Sequence, residues 1–299
     1  MRLVITGGGT GGHLYPGVAV AEVVQSRVPG VEIRFIVGTR LEARILPQLG
    51  WRYDTVAARP LPRRIGLSLV ASLLVNLVGT ARAMRLLRRW RPGAVLATGG
   101  YVAGPVGLAA VLLGIPLVVQ EQNAIPGLAN RWLGRWARAI SVPSGAQGGF
   151  PADRVVVTGV PIRPTVLQGD RLRGREAFGL APDRFTILVL GGSQGALSLN
   201  RAVGEAATLL MYERIQVLHQ TGSEHLEWVQ REIGHREHVG PPVLRHAAVP
   251  YIERVGDAYA AADLVICRAG ASTLAEVAAW GLPAILVPYP HATASHQEA

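Results

Sequence analysis

Short apolar runs alternate along the chain with glycine-rich turns and with longer segments whose apolar residues recur at helical spacing. Leu3–Thr6 reads as a buried strand, the GGGTGG that follows as a turn, and Pro16–Arg27 as a helix. Glu32–Val37, Ala94–Ala97, Leu117–Gln120 and Ala139–Val142 are further strand-like runs, with helical patterns at 41–49, 66–90, 102–113 and 127–136 between them. The pattern then restarts. Phe185–Leu190 reads as a strand, GGSQG as a turn and Leu197–Met211 as a helix, followed by strands at 215–220, 263–267 and 284–287 and helices at 223–233, 251–261 and 273–280. Strands alternating with helices predict an α/β chain with a parallel, doubly wound sheet in each half. The two prolines of GVPIRPT, 159–165, place a linker there and give domains 1–162 and 163–299. The halves share a plan but no short-period repeat.

A chain of 299 residues suits two domains of about 150 each. Hydrophobic residues at 49% against 17% charged supply a core and exclude disorder as the main state. The single cysteine, Cys267, excludes an intrachain disulfide and a multi-cysteine metal site. All 30 basic residues are arginines, which excludes Schiff-base lysine chemistry, a pyridoxal lysine and a Walker-type phosphate loop. No Asp-x-Asp pair is present to hold a metal, and neither metal nor cofactor is expected.

Charge changes the picture further. Residues 1–150 hold 17 arginines and 5 acids, net +12, whereas 151–299 carry net −2. No acid lies between Asp54 and Glu121, yet eight arginines do. Aromatics are only 6%, too sparse for a nucleic-acid surface that interleaves them with basic residues. A basic half beside an apolar stretch points instead to an anionic membrane surface. That stretch, Ile65–Ala81, spans 17 residues, about 25 Å as a helix, against a hydrocarbon core of about 30 Å. Its small neutral residues Ser68, Ser72, Asn76 and Thr80 recur every fourth position, so that face packs inside or meets lipid. Arg59, Arg63 and Arg64 precede it, and Arg82, Arg85, Arg88, Arg89 and Arg91 follow. Met1 leads straight into a strand pattern with no leader-like segment. The expectation is a cytoplasmic protein that touches a membrane without crossing it.

Two glycine loops follow first strands and open helices, where backbone N–H groups can face an anion. Gly7–Gly12 fits the dinucleotide pattern GxGxxG, but Glu32, the acid such a site would want, stands at the start of the second strand rather than its end. Tight strand-to-helix packing explains the loop equally well. His13 follows directly; the dipole of a helix N-terminus favours neutral imidazole, able to accept a proton. In the second loop, Gly191–Gly195, Ser193 either donates to a phosphate or caps the next helix. Arg163 at the linker is a diphosphate ligand or a surface arginine. Glu276 either closes a capping box with Thr273 or accepts ribose hydroxyls at a helix start. Asn123 suits a sugar hydroxyl or a turn.

Seven motifs occur in order: ITGGGTGGHLYPG at 5–17, TGGYVAGP at 98–105, QEQNAIPG at 120–127, GVPIRP at 159–164, GGSQGA at 191–196, CRAGASTLAE at 267–276 and PAILVPYPHATASHQ at 283–297. Together they resemble the MurG family of bacterial peptidoglycan glycosyltransferases, glycosyltransferase family 28, along the whole chain. The resemblance implies a GT-B fold, two Rossmann-like domains facing a cleft, and an inverting, metal-independent transfer of N-acetylglucosamine from UDP-GlcNAc to the muramyl sugar of lipid I, giving lipid II at the cytoplasmic face of the cell membrane. It implies an acceptor- and membrane-facing first domain, a donor-binding second domain and partners in cell-wall synthesis. By position, Thr10, Gly11 and Gly12 would meet the donor sugar side and His13 would be the general base. Asn123 would hold the GlcNAc, Arg163 and Ser193 the diphosphate, and Ile252 would flank uracil. Ala271, Ser272, Thr273, Leu274, Ala275 and Glu276 would meet the nucleotide, with Glu276 on ribose, and Gln297 would bind the donor sugar.

Three departures stand out. Gln120 replaces the family's usual histidine before Glu-Gln-Asn, which keeps Asn123 but puts a local hydrogen bond in doubt. The pair His296-Gln297 stands two residues from Ala299, and the family's chain runs on beyond that position, which implies a truncated, weakly stable and poorly active chain. Two other classes remain open from the residues. A UDP-GlcNAc 2-epimerase shares the plan and the nucleotide sugar, though it needs acids at the sugar and the first half has only five. A nucleotide-binding, membrane-associated module without catalysis is the other.

Overall fold

A computed structural model describes residues 1–62, 66–146, 148–192, 194–237 and 243–289. The backbone divides after Arg163 into two compact units, each built on its own parallel sheet. In the first, strands β1 (Arg2–Thr6), β2 (Glu32–Val37), β3 (Tyr53–Thr55), β4 (Ala94–Ala97), β5 (Leu117–Gln120), β6 (Ala139–Val142) and β7 (Val155–Val157) lie in the order β3-β2-β1-β4-β5-β6-β7. Helices α1 (Gly11–Arg27), α2 (Leu41–Gln48), α3 (Leu67–Trp90), α4 (Ala103–Leu112) and α5 (Leu128–Leu133) connect them. The period-2 pleat sends alternate residues to opposite layers. Leu3 and Ile5 of β1 pack with Leu14 and Val18 of α1 and Leu46 of α2, while Val4 packs with Ala83 and Leu87 of α3 and Val106 of α4.

The second unit opens with α6 (Pro164–Leu167) and α7 (Arg171–Ala177). Its sheet holds β8 (Phe185–Leu190), β9 (Ile215–Gln220), β10 (Arg245–Val249), β11 (Leu264–Arg268) and β12 (Ala284–Val287), ordered β10-β9-β8-β11-β12. Helices α8 (Leu197–Leu209), α9 (Leu226–Glu237), α10 (Val255–Ala261) and α11 (Ala271–Trp280) complete it. Each sheet reverses its winding once, between β1 and β4 and between β8 and β11. In open α/β sheets such switch points, at the carboxyl ends of the strands, are where ligands bind.

The long apolar alternation forms as the sequence predicts, and the differences have local causes. Helix α1 begins at Gly11, not at Pro16. The N–H that Pro16 lacks would have met the carbonyl of exposed Gly12, so the early start costs little. Strands β3, β7 and β10 are not read from the sequence: β3 (Tyr-Asp-Thr) and β7 (Val-Val-Val) are three residues long, β10 opens on the polar pair Arg245-His246, and each pairs with a neighbouring strand. Helices α6 and α7, unread in the sequence, are fastened to α10 by Asp257. Its carboxylate, 3% exposed, accepts from Asp170 N at 2.9 Å and from Arg173 Nε at 2.8 Å, with Arg254 Nε at 2.9 Å. The Arg173 hydrogen bond holds that carboxyl down at a pKa of about 2.

Helix α3 settles which face of the apolar segment is which. From Ser72 onward the small-residue stripe turns inward, whereas Ser68 at its start is exposed. Ser72 and Thr80 are buried, and Asn76 clamps the preceding loop by accepting from Arg59 N at 2.9 Å and donating to Arg59 O at 3.0 Å. Gly79 lies so close to that loop that a Cβ would fall on the Ala57 carbonyl. The opposite face exposes Leu67, Val70, Leu73, Leu74, Leu77 and Val78, with exposures from 52% to 90%. Among the described helices this one is long and apolar enough to cross a membrane, but Ala83 and Leu87 belong to the core of the first unit.

Candidate functional site

At the first switch point the loops after β1, β4 and β5 meet. Gly8 N donates to Gly99 O at 3.2 Å, and Thr98 Oγ1 donates to His13 O at 2.6 Å. His13 occupies the first turn of α1, after Thr10, Gly11 and Gly12; Thr10 is the cap residue but makes no side-chain cap bond. His13 Nδ1 lies 3.2 Å from Thr98 O and 2.6 Å from Gln122 Nε2. A carbonyl only accepts, so in the neutral ring Nδ1 carries the proton and proton exchange with a substrate runs through Nε2. That tautomer requires the Gln122 amide turned over, so that Oε1, which has no partner among the described residues, accepts in place of Nε2. Gly99 leaves room for the ring: its φ is +99°, and a Cβ there would sit 2.9 Å from His13 Nδ1.

Asn123 is held by its neighbour. Glu121, fully buried, accepts from Asn123 N at 3.0 Å, Asn123 Nδ2 at 2.9 Å, Gly127 N at 2.9 Å and Asn130 Nδ2 at 3.0 Å. Four donors satisfy the carboxylate and fix the amide beside it. Gln120 ends β5 buried, and among the described residues neither of its side-chain amide atoms has a partner, so no hydrogen bond of that side chain replaces the one placed in doubt by the sequence. Glu42, in the first turn of α2, accepts from Gly9 N and so braces the glycine loop from below. Tyr101 stands over Gly9, its hydroxyl pushed up by burial and by Glu42. Arg163 lies over the Tyr15 ring of α1 at 5.0 Å, on the first unit's side of the division. The first unit thus gathers Thr10, Gly11, Gly12, His13, Asn123 and Arg163.

At the second switch point the loop after β8 meets the loop after β9, where a Cβ on Gly195 would fall on the Thr221 carbonyl. Gln220, 5% exposed, ties the two together. Its Nε2 donates to Gly192 O at 2.8 Å and its Oε1 accepts from Ile252 N at 2.9 Å. Ser193 and Gln297 lie outside the described residues. Helix α11 begins at Ala271 with Gly270 as its cap residue, so Thr273 is the third helical residue and the capping box with Glu276 does not form. Glu276 instead accepts from Tyr259 Oη at 2.9 Å. Residues Ala271 to Glu276 make the first turn and a half, and Ser272 Oγ is buried there with no partner among the described residues. Arg268 donates to Ser198 Oγ at 2.6 Å and to Pro288 O at 2.9 Å, bracing the ends of β11 and β12. Among the described residues no group of three or more His, Cys, Asp or Glu is placed to hold a metal.

Glu121 and Gln122 directly precede Asn123 within one motif, a signal that was available. Thr98, Glu42, Gln220 and Tyr259 reach their partners across 17 to 85 residues, and no local pattern marks them.

Two tandem parallel doubly wound units, each with a glycine loop at its switch point, define the GT-B class of fold. The profile of the glycosyltransferase family 28 N-terminal domain matches residues 3–142, and that of the family 28 C-terminal domain matches residues 186–299. This chain belongs to glycosyltransferase family 28. Relatives from Desulforamulus reducens and Moorella thermoacetica are 41% and 42% identical to it, across the whole chain and 81% of their own lengths. Each bears the name UDP-N-acetylglucosamine--N-acetylmuramyl-(pentapeptide) pyrophosphoryl-undecaprenol N-acetylglucosamine transferase. The crystal structure of Acinetobacter baumannii MurG, 34% identical, superimposes with a TM-score of 0.73 over 99% of this chain and 81% of that one. A UDP-GlcNAc 2-epimerase from Neisseria meningitidis shares the fold at 12% identity, with a TM-score of 0.64 over 96% of this chain and 82% of that one.

Proposed function

We propose that this chain transfers N-acetylglucosamine from UDP-GlcNAc to the muramyl 4-hydroxyl of undecaprenyl-diphosphate-linked MurNAc-pentapeptide, converting lipid I to lipid II. The observation that carries the reading is about 40% identity, from end to end, to enzymes named for that donor and acceptor. The first unit takes the acceptor and the second the nucleotide sugar. The muramyl hydroxyl attacks the anomeric carbon; that C–O bond forms as the bond to the diphosphate oxygen breaks, with inversion. The hydroxyl proton passes to His13 Nε2, and UDP leaves. The Nδ1–H held by Thr98 O supports this tautomer, and Glu121 fixes Asn123 for a sugar contact. Arg163 and Ser193 neutralise the departing diphosphate, as fixed donors do for developing charge. Ile252 flanks uracil, Ala271–Glu276 receives the nucleotide with Glu276 on ribose, and Gln297 contacts the donor sugar.

The exposed leucine face of α3, followed by Arg82, Arg85, Arg88, Arg89 and Arg91, rests on an anionic membrane surface where the polyprenyl acceptor resides. Each basic residue near such a surface contributes about 1 kcal/mol.

Turnover of radiolabelled UDP-GlcNAc, with and without lipid I, tests the reaction. Transfer only when acceptor is present is expected; epimerised sugar without acceptor would assign the chain to the other activity that shares this fold. His13→Ala is expected to lower the transfer rate about 10²- to 10⁴-fold, the usual worth of a general base. A loss under about threefold would remove His13 from that role.

A further inference from the structure

Glu276 does not stand alone. It lies in the second turn of α11, and its Oε2 accepts from the hydroxyl of Tyr259, a residue of α10 that is 1% exposed. Tyrosine is a bulky choice for a fully buried helical position, and its hydroxyl is worth burying only with a partner. Burial and the neighbouring carboxylate push that hydroxyl far above its ordinary range, so it stays a donor at every working pH. A permanent donor on one carboxylate oxygen pins the rotamer, so that the second oxygen keeps one direction.

We propose that Tyr259 is a positioning residue that sets ribose specificity: by anchoring Glu276 Oε2 it aims the other carboxylate oxygen at the ribose hydroxyls of a uridine nucleotide. This rests on the reading of Glu276 as the ribose ligand. It adds a residue that touches no substrate and predicts an effect confined to the sugar of the nucleotide. A pocket that hydrogen-bonds a hydroxyl rejects the analogue lacking it, because its own polar group is then left unpaired. That rejection is sharp only while the carboxylate is held in place.

The test is the dissociation constant for UDP and for 2′-deoxy-UDP, measured by calorimetry on the 299-residue chain as wild type, Tyr259→Phe, Glu276→Ala and the double variant. Tyr259→Phe removes one oxygen and keeps the ring. The ratio of the two constants does not depend on what fraction of the protein is folded, so a loss of stability leaves the readout intact. The wild type is expected to prefer UDP about tenfold or more, equivalent to at least about 1.4 kcal/mol. Tyr259→Phe is expected to weaken UDP about tenfold, leave 2′-deoxy-UDP nearly unchanged, and bring the ratio towards one. In the Glu276→Ala background the same change is expected to do nothing further. A wild-type ratio retained in Tyr259→Phe, or equal weakening with and without Glu276, overturns the proposal while leaving Glu276 on ribose. If the wild type binds both nucleotides equally and Glu276→Ala changes neither, the ribose reading itself fails and takes Tyr259 with it.

Discussion

His13 shows how little of a side chain's chemistry is local. Its place after a glycine loop is plain in the sequence, but its tautomer is decided by Thr98, 85 residues away, and by Gln122, 109 away. Asn123 is the contrary case, since the carboxylate that fixes it is two residues before it. Glu276 lies between: the spacing to Thr273 suggested a capping box, and the helix start at Ala271 put Thr273 inside the helix instead. A different histidine carries a stability prediction. His219 is fully buried, its Nδ1 is 3.1 Å from His246 Nε2 and its Nε2 is 3.0 Å from Asn200 Oδ1. Burial, helped by His246, pushes its pKa down to about 3. The unfolded chain takes up that proton below about pH 6.5 while the folded chain does not. Stability from this group is therefore complete above about pH 6.5 and falls as pH drops towards 3, by at most about 1.4 kcal/mol per pH unit. Urea midpoints at pH 7 and pH 5 should differ, and His219→Gln should shrink the difference; an unchanged difference would assign the acid sensitivity elsewhere.

At the scale of elements, most of the two sheets announces itself in the sequence and three strands do not. Strands β1, β2, β4, β5, β6, β8 and β9 stand where the period and flanking turns place them, whereas β3, β7 and β10 owe their existence to a neighbour's ladder. Helix α3 is the most instructive. Its spacing showed a neutral stripe and an apolar remainder but not which one faced the core, because both lack charge. Packing chose the small residues, since Gly79 and Ser72 admit close backbone approach, and left the leucines outside. A surface so apolar and so placed beside arginines is expected to bind vesicles. Replacing Leu74 and Leu77, 58% and 66% exposed, by Glu should leave the fold intact, because neither supports the core. Each buried leucine contributes about 1.5–3 kcal/mol, so the pair should lower partitioning onto phosphatidylglycerol vesicles by well over tenfold in flotation. Undiminished flotation would exclude this face, and equal binding to neutral vesicles would exclude the arginines.

For the whole molecule, donor binding in the second unit has a direct test. UDP at a hundred times its dissociation constant should stabilise the domain that binds it by about 2.7 kcal/mol. Hydrogen exchange should then slow in β8, β9, β11 and the start of α11, and hardly change in the sheet built on β1. Protection spread equally over both sheets would contradict the division of labour. The α/β class, the doubling of the plan and the position of both glycine loops were legible in the sequence. Each depends on periodicity and on residues adjacent in the chain, and a parallel sheet with crossover helices is the arrangement such periodicity allows. Orientation and partnership belonged to the folded state: the inward face of α3, the start of α11, the proton on His13, and the supports Glu42, Gln220 and Tyr259. Those depend on which distant backbone or carboxylate a side chain meets, and only closing the sheets brings such groups within hydrogen-bond reach.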